Sequence, residues 1–289
     1  MIEVIRAGAL TTVQDRGRYG WAHLGVPRAG ALDQPALALA NRLVGNPPDA
    51  AGLEVTLTGC TLRLRTGGWV ALTGAPATVR IAGRSGGFLT PTPVPPDAVV
   101  EVGPARYGVR SYLAIAGGIA VPAVLGSRST DTLAGIGPPA VRDGDVLPVG
   151  TAPPPAALSR AAADAVPWSA PAVPVRLTVR LGPRADWFTA EAVQRLLTTG
   201  YEVSPLSNRI GVRLTGAPLT RSVRDELPSE GLVVGAVQVP ADGQPLVFLA
   251  DHPTTGGYPV VGVVDDVTPL AQARPGTTVR FHGSQRGPR

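Results

Sequence analysis

The stretch VRLTVRLG, residues 175–182, decides the fold class of this chain. Apolar and polar side chains alternate along it, and the apolar ones are Val175, Leu177, Val179 and Leu181. Because successive side chains of a β-strand point to opposite faces of the sheet, this period of two is typical of a half-buried strand. An amphipathic helix would repeat its apolar residues every three or four positions instead. The segment therefore predicts a β-strand.

Short runs of the same β type recur along the chain between glycine and proline residues. They are TLRLR (61–65), WVALTG (69–74), ATVRIAG (77–83), VVEVG (99–103), VRSYLAIAG (109–117), LVVGAVQVP (232–240), PLVFLA (245–250), VVGVV (260–264) and TVRFHG (278–283). Two segments predict helices: LDQPALALANRLVGN (32–46), which Asp33 can cap, and TAEAVQRLLTTG (189–200), which Thr189 can cap. Many short strands with few short helices predict a mostly-β protein built of barrels or sandwiches.

One proline- and alanine-rich segment suggests how the chain is divided into domains. TAPPPAALSRAAADAVPWSAPAVP, residues 151–174, lacks sustained apolar periodicity and is therefore predicted to be a linker. It separates an N-terminal β domain, residues 1–150, from a C-terminal β domain, residues 175–289.

The composition excludes several function classes. All 26 basic residues are arginine, so this chain cannot form a lysine Schiff base, carry a P-loop lysine or be biotinylated on a lysine. The net charge of +5 is spread without a basic cluster, so no nucleic-acid partner is expected. The apolar runs are shorter than a membrane span and the N-terminus has no apolar signal region, so no membrane partner is expected. The lone Cys60 is predicted to be a core thiol, which fits a cytoplasmic protein.

Two features that could carry chemistry have simpler interpretations. GRSGG (83–87) fits the G-x-S-x-G pattern of a nucleophile elbow, but the proline-rich FLTPTPVPP that follows cannot form the required helix. His23, His252 and His282 lie far apart in the sequence, so no metal site is predicted.

Several loops carry more polar side chains than a turn requires. They are TTVQDRGRYG (11–20), GVPRAGALD (25–33), LGSRSTDTLAGIG (125–137), YEVSPLSNRIGVRLTG (201–216), QVPADGQP (238–245) and DHPTTGGYP (251–259). Glycine lets backbone N–H groups approach a ligand, hydroxyl and amide groups supply neutral donors, and arginine can hold a carboxylate with two hydrogen bonds. Two interpretations stay open, namely β-turns at a barrel rim or a binding site for a small polar ligand.

Taken together, these loops resemble one family, whose members are known as allophanate hydrolase subunit 2, KipA-like proteins or the C subunit of 5-oxoprolinase. The family includes the carboxyltransferase domain of urea amidolyase. The similarity spans nearly the whole chain, in the family's order of motifs. The matching segments are TTVQDRGRYG, GVPRAGALD, ANRLVGNPPDAAGLEVTLTG, YLAIAGGIAVPAVLGSRSTDTLAGIG, SNRIGVRLTG, GAVQVPADGQP and DHPTTGGYP.

The resemblance implies a pair of cyclophilin-like β-barrels, one in residues 1–150 and one in residues 175–289. It also implies one component of an ATP-dependent 5-oxoprolinase, a heteromeric hydrolase that opens the cyclic amide 5-oxo-L-proline to L-glutamate and is active only when its partner subunits are present. The expected partners are the B subunit, which is homologous to this chain, and a third protein, the A subunit. This chain is expected to bind no cofactor itself, and ATP is expected on a partner.

Two alternatives accompany this implied function. In the urea amidolyase branch the same module is where carboxybiotin meets urea, so the chain could be the carboxyltransferase component of a biotin-dependent enzyme. Biotin is expected only in that case, on a separate carrier. The KipA-like branch instead implies a non-catalytic regulator of a kinase inhibitor.

The sequence departs from the family's pattern in the 251–259 loop. Family members commonly read D-R-Q-T-T-G-G-Y-P-K, whereas this chain has His252, Pro253 and Val260 at the changed positions. SNRIG likewise stands where S-D-R-M-G is usual. The segment TTGGY, residues 254–258, matches the family's pattern unchanged. We call it the cradle, because its hydroxyls and glycine backbone could surround the polar atoms of a ligand.

The candidate site is predicted to unite the loops 125–131, 207–211 and 251–259 in one cleft. To bind a small substrate that carries a carboxylate, a site needs a cationic side chain, neutral hydrogen-bond donors and backbone groups that can approach the ligand closely. No single loop supplies all three. The predicted catalytic residues, which would orient or activate a water, are Asp15, Asp251 and His252. The predicted substrate-binding residues are Arg128, Ser129, Asn208, Arg209, Gln238, Thr254, Thr255, Gly256, Gly257 and Tyr258. The alternative is that these loops cap separate barrel ends and that the arginines pair with nearby aspartates.

Overall fold

The computed structural model describes residues 1–154 and 169–284. The greater part of the predicted linker, residues 155–168, therefore lies outside the described residues.

The chain divides into two compact units. The first contains Met1–Arg18 and Ala29–Ala170, and the second contains Tyr19–Arg28 and Pro171–Arg289. The segment Tyr19–Arg28 is thus grouped with the second unit, although it lies inside the stretch 1–150 that the sequence suggested as one domain. The chain passes into the second unit for these ten residues and then returns to the first, without a change in composition. The sequence pattern therefore could not reveal this segment.

The first unit consists mainly of short strands. They are β1 (Ile2–Arg6), β2 (Leu10–Gln14), β3 (Gly52–Thr56), β4 (Cys60–Leu64), β5 (Gly68–Gly74), β6 (Val79–Ile81), β7 (Arg84–Gly86), β8 (Thr92–Val94), β9 (Ala98–Val102), β10 (Arg110–Ile115) and β11 (Val146–Leu147). They form a six-stranded sheet in the order β11-β1-β4-β9-β6-β7 and a five-stranded sheet in the order β2-β3-β10-β5-β8. Apolar side chains from both sheets, among them Leu62 and Leu113, share one core. The first unit is therefore a two-sheet sandwich.

One helix covers the five-stranded sheet. α1 (Gln34–Leu43) begins as predicted, because the carboxylate of Asp33 accepts a hydrogen bond from the backbone N–H of Ala36 at 3.0 Å. Its apolar side chains Leu37 and Leu43 are buried in a cluster with Tyr112 of β10.

The second unit contains a closed barrel. Its elements are β12 (Val175–Leu181), α2 (Ala190–Thr198), β13 (Gly200–Val203), β14 (Gly211–Thr215), β15 (Glu230–Gly231), β16 (Ala236–Gln238), β17 (Leu246–Phe248), β18 (Thr255–Gly256), β19 (Val260–Val264), α3 (Thr268–Ala271) and β20 (Thr278–Gly283). Seven strands close in the order β12-β19-β16-β17-β14-β13-β20, while β15 and β18 form a separate two-stranded sheet. The prediction of a mostly-β fold with few helices is confirmed.

The alternation in β12 has the predicted effect. Val175, Leu177 and Val179 are buried, whereas Leu181 is 48% exposed. The difference has a simple origin, because the parallel pairing of β12 with β20 ends at Val179, and Leu181 extends past it.

Four other predictions from the sequence concern single residues or short segments. Thr189 caps α2 as predicted, since its hydroxyl accepts from the N–H of Ala192 at 3.2 Å. Cys60 is fully buried, and burial raises its pKa to about 12, so it is an unreactive core thiol. Ser85 lies in β7, which pairs with β6 in a hairpin, so GRSGG is not a nucleophile elbow. Among the described helices, none has both the length and the apolar character that a membrane crossing requires.

Candidate functional site

A buried ion pair joins two of the predicted loops in the second unit. Arg209 donates from Nε to Asp251 Oδ2 and from Nη2 to Asp251 Oδ1, both at 2.9 Å. The backbone N–H of Asp251 also donates to the carbonyl of Arg209 at 3.2 Å. Both side chains are almost completely buried, at 1% and 0% exposure. This ion pair therefore holds the loops 207–211 and 251–259 side by side, and it is an arginine–aspartate pairing of the kind that the alternative interpretation expected.

This pairing limits what either residue can do chemically. A guanidinium that already holds a carboxylate with two hydrogen bonds is not offered to a second one. Likewise, the carboxylate of Asp251 has no surface exposed to solvent, and both of its oxygens already accept from a guanidinium. The ion pair thus gives Arg209 and Asp251 a positioning role, and their contacts with a substrate carboxylate and a water stay predictions.

His252 follows the ion pair directly and is held in a defined orientation. Its Nδ1 lies 2.7 Å from the carbonyl oxygen of Pro253, and its ring lies 6.1 Å from that of Phe248. Because a carbonyl can only accept, Nδ1 carries the proton in this contact, and Nε2 is the basic nitrogen of the neutral ring. This arrangement suits a general base oriented through its second nitrogen.

The threonine–glycine part of the loop forms the strand β18. Its residues Thr255 and Gly256 pair with Gly231 and Glu230 of β15. A Cβ atom at Gly256 would lie 2.8 Å from both Gln238 Nε2 and Leu232 Cδ1, so a larger residue there would require these two side chains to shift. In this strand pairing, Thr255 is exposed and Thr254, which precedes β18, is half-buried.

Two predicted binding residues make hydrogen bonds to the backbone of the loops. Gln238 is buried and donates from Nε2 to the carbonyl of Tyr258 at 3.1 Å. Asn208 is exposed, and its Oδ1 accepts from the N–H groups of Ile210 and Gly211 at 2.8 and 3.3 Å. Both amides therefore shape the loops, and Gln238 fixes the backbone next to the Tyr258 ring.

Three charged residues that the sequence did not single out surround the cradle. Arg184 binds Glu230 of β15 through Nε at 2.9 and 3.1 Å, and through Nη2 as well. This pair lowers the pKa of Glu230, mainly through the hydrogen bond from Arg184. Arg221 lies over the exposed ring of Tyr258, 5.6 Å from its centroid, and donates to the carbonyl of Val239. The Arg184–Glu230 partners are 46 residues apart, so no local sequence signal could have found them.

The segment Tyr19–Arg28 also lies next to the cradle. A Cβ placed on Gly25 would be 4.0 Å from Thr254 Oγ1. In the same segment, the guanidinium of Arg28 lies 5.0 Å above the ring of Tyr19. Residues 25–28 (GVPR) thus contribute to the second unit, and Gly25 lies near Thr254.

In the first unit, the carboxylate of Asp15 organises the 127–129 loop. Its Oδ1 accepts from the hydroxyls of Ser127 and Ser129 at 2.6 Å and from the N–H of Gly17 at 2.8 Å. Its Oδ2 accepts from the backbone N–H of Arg128 at 2.6 Å. Four donors occupy the oxygens of this buried carboxylate, so it is not placed to activate a water as predicted. The structure therefore supports an anchoring role for Asp15.

The other predicted residues of this loop are engaged in the same network. Ser129 is fully buried and bonds both the carboxylate and the backbone N–H of Asp15. Arg128 is half-buried and donates from Nε to the carbonyl of Val121 at 2.8 Å. These residues lie in the first unit and the 207–211 and 251–259 loops lie in the second. The single cleft uniting all three loops stays a prediction.

The anchoring role of Asp15 can be tested with an isosteric substitution. Asp15→Asn keeps the side-chain shape but replaces one carboxylate oxygen with an NH₂ group. If that NH₂ group faces the backbone N–H of Arg128, two donors meet; in either orientation the remaining oxygen is a weaker, uncharged acceptor. We expect a loss of about 1–3 kcal/mol in unfolding free energy, measured by urea denaturation. Asp97→Asn, at a carboxylate that is 67% exposed and paired with Arg65, is the matched control and should change stability by about 0.5 kcal/mol or less. Equal stability of both variants would contradict the anchoring role.

Comparison with known proteins agrees with the sequence motifs. A family model described as the carboxyltransferase domain, subdomain A and B, matches residues 24–283. The chain is 39% identical over 286 residues to the C subunit of 5-oxoprolinase from Escherichia coli (strain K12), covering 97% of this chain and 90% of that protein. The resemblance inferred from the motifs is therefore confirmed.

A second group of relatives is much longer than this chain. The chain is 31% identical over 307 residues to urea amidolyase of Saccharomyces cerevisiae, covering 97% of this chain but 16% of that protein. The crystal structure of the Kluyveromyces lactis urea amidolyase matches with a TM-score of 0.85 and 29% identity, over 97% of this chain and 18% of that one. In this group, the similarity therefore covers less than a fifth of the longer protein.

Proposed function

Since the chain belongs to the family of carboxyltransferase domains with subdomains A and B, we propose that it acts within that family as the C subunit of a 5-oxoprolinase. The observation that carries this proposal is the 39% identity to a 5-oxoprolinase component of that type, because it extends over 90% of that protein as well as 97% of this chain. The substrate is 5-oxo-L-proline, the product is L-glutamate, and the reaction consumes ATP.

The chemistry explains why partner subunits and ATP are needed. A five-membered lactam is an amide of low reactivity, and transfer of the γ-phosphoryl group of ATP to its oxygen would activate the ring carbonyl. Water then forms a bond to that carbon, the carbon–nitrogen bond breaks and the nitrogen takes up a proton, which leaves an acyl phosphate. A second water attacks the acyl phosphate, and inorganic phosphate leaves to give the carboxylate. This chain has no lysine with which to form a P-loop. We therefore assign ATP binding to one of the two partners, the A or the B subunit.

The second unit supplies the groups that this substrate needs. The hydroxyls of Thr254 and Thr255 are neutral donors for polar atoms of the ring. His252, oriented by Pro253, takes the proton of the attacking water at Nε2. The buried pair of Arg209 and Asp251 holds the loop in place, so that these groups keep their positions without reorganisation.

Arg221 is the cation that best fits the substrate carboxylate. Arg209 is bound to Asp251 and Arg184 to Glu230. Across residues 1–154 and 169–284, by contrast, Arg221 makes no ion pair with a carboxylate. It lies over Tyr258, at the edge of the threonine–glycine cradle. A guanidinium on an aromatic face keeps donors available for a carboxylate.

Arg221 can be tested by its effect on substrate binding. In the reconstituted complex, Arg221→Gln should raise the KM for 5-oxoproline about 10- to 100-fold, because a charge-assisted hydrogen bond contributes about 1.5–3 kcal/mol. The turnover number should change little, since this contact is the same in ground and transition states. Arg213→Gln, at an exposed arginine of β14 in the same unit, is the control and should leave KM unchanged. A fall in turnover number at constant KM would contradict the proposed contact.

The function itself is tested by reconstitution. The purified chain, combined with both partner subunits, should release glutamate and ADP from 5-oxoproline and ATP. Omitting this chain should abolish glutamate release. Absence of glutamate release from the complete complex would overturn the proposal.

A biotin-dependent carboxyltransferase is the second candidate, favoured by the structural match to urea amidolyase at a TM-score of 0.85. The absence of lysine means that biotin would have to be carried by another chain. Adding a biotinylated carrier, a biotin carboxylase, bicarbonate, ATP and urea should then yield carboxylated urea. The KipA-like alternative predicts a stoichiometric complex with a kinase inhibitor and no turnover in either assay.

A further inference from the structure

A second concave site lies in the first unit, on the solvent face of the six-stranded sheet. We call it the hairpin cavity, because the β6–β7 hairpin forms one of its walls. Its volume is about 300 Å³, at the lower end of the range for pockets that bind small molecules. Six of the residues that line it are Pro76, Thr78, Arg80, Ser85, Phe88 and Arg106.

The strand register explains why polar groups converge there. Val79 and Ile81 of β6 are buried in the core, so the alternating residues Thr78 and Arg80 face the solvent. Arg80 pairs in register with Ser85 of β7, which places both side chains on the same face. The hairpin therefore presents one guanidinium and two hydroxyls to the cavity.

A separate segment brings the second cation. The backbone N–H of Arg106 donates to the carbonyl of Pro76 at 2.7 Å, which fixes the start of this segment beside the hairpin. Phe88, held by the bond from the N–H of Leu89 to the carbonyl of Leu72 at 2.9 Å, adds an apolar wall. The cavity thus combines two arginines and two hydroxyls with apolar surface.

Neither of these arginines is held in an ion pair by a described residue. Within the part of the chain that the structure describes, neither Arg80 nor Arg106 forms an ion pair with a carboxylate. Glu101 of β9 lies opposite Arg80 in the strand register, on the same face of the sheet. It offsets part of the charge of Arg80 but forms no ion pair with it, so the guanidinium keeps its donors. Elsewhere in the same sheet Arg65 binds both Glu3 and Asp97. The hairpin cavity consequently offers the hydrogen-bond donors of two guanidiniums that no carboxylate in residues 1–154 or 169–284 holds.

We propose that the hairpin cavity binds the phosphate group of a small phosphorylated molecule. A phosphate offers three acceptor oxygens and a charge near −2, which match two guanidiniums and two hydroxyls better than a singly charged carboxylate does. Phe88 and Pro76 then contact the less polar remainder of the ligand. This site does not depend on the proposed function of the second unit.

Calorimetric titration of the full chain with inorganic phosphate, at an ionic strength kept constant with sodium chloride, tests the proposal. We expect saturable binding of one phosphate per chain. Arg80→Gln combined with Arg106→Gln should weaken it at least about tenfold, the factor for a lost charge-assisted contact of about 1.4 kcal/mol. Arg84→Gln is the matched control, since Arg84 is exposed on the same hairpin without lining the cavity, and it should stay within about twofold of the parent.

A second variant guards against misfolding and keeps the charge constant. Thr78→Val with Ser85→Ala removes both hydroxyls and should also weaken phosphate binding, with the fold monitored by circular dichroism. The proposal is overturned if phosphate shows no saturable binding at constant ionic strength. It is overturned equally if acetate binds more tightly than phosphate, or if Arg84→Gln weakens binding as much as the double arginine variant.

Discussion

Replacing Asp251 by asparagine should destabilise the second unit by about 3–5 kcal/mol, because it removes the charge that is paired with the buried guanidinium of Arg209. Both side chains are essentially inaccessible to water, so solvent cannot compensate the lost charge. Urea denaturation should show a large fall in the free energy of unfolding. The dependence of this free energy on urea concentration should stay the same if the denatured state is unaffected. Since the pair joins the 207–211 and 251–259 loops, activity of the reconstituted complex should fall with it.

The control for this substitution is an exposed pair in the same unit. Arg180 and Asp265 lie 2.7 Å apart, with 63% and 39% of their side chains exposed. Asp265→Asn should therefore cost about 1 kcal/mol or less. A similar cost for Asp251→Asn and Asp265→Asn would show that the buried pair does not hold the loops together.

Replacing His252 by glutamine should lower the turnover number of the reconstituted complex by about 10²- to 10⁴-fold, the usual contribution of a general base. Glutamine can still donate to the carbonyl of Pro253, but it cannot take up a proton. We therefore expect the KM for 5-oxoproline and the thermal stability of the chain to change little. This combination distinguishes a catalytic base from a residue that only packs against Phe248.

The matched control for His252 is the exposed His282 of β20. His282→Gln should keep the turnover number within about twofold of the parent. If His252→Gln retains full turnover while the parent complex is active, His252 is not the base, and the proposed 5-oxoprolinase function is unaffected.

The sequence correctly predicted those strands and helices that depend on residues close together in the chain. The alternation in residues 175–182 predicted β12, and the capping residues Asp33 and Thr189 marked the starts of α1 and α2. These features depend on neighbours within a few positions. The exposed Leu181 shows where this reasoning ends, because the extent of the partner strand β20 determined its environment.

The candidate site was harder to predict because its determinants are distant in sequence. The motifs drew attention to Arg209 and Asp251, but not to the fact that these two, 42 residues apart, neutralise each other. Nothing in the local sequence distinguishes Arg221 from the other arginines, since its position over Tyr258 depends on tertiary packing. A motif can identify a candidate binding residue, but whether that residue is able to contact a ligand depends on the charged groups packed around it.

The grouping of Tyr19–Arg28 with Pro171–Arg289 has a consequence for biosynthesis. As the chain leaves the ribosome, this early segment emerges long before the strands with which it will pack. At about 5–20 residues per second, the delay is on the order of ten seconds. During that interval the first unit can fold while Tyr19–Arg28 still lacks its binding surface. The second unit can therefore be completed only after nearly the whole chain has been translated, and a fragment beginning at residue 171 would lack one of its parts.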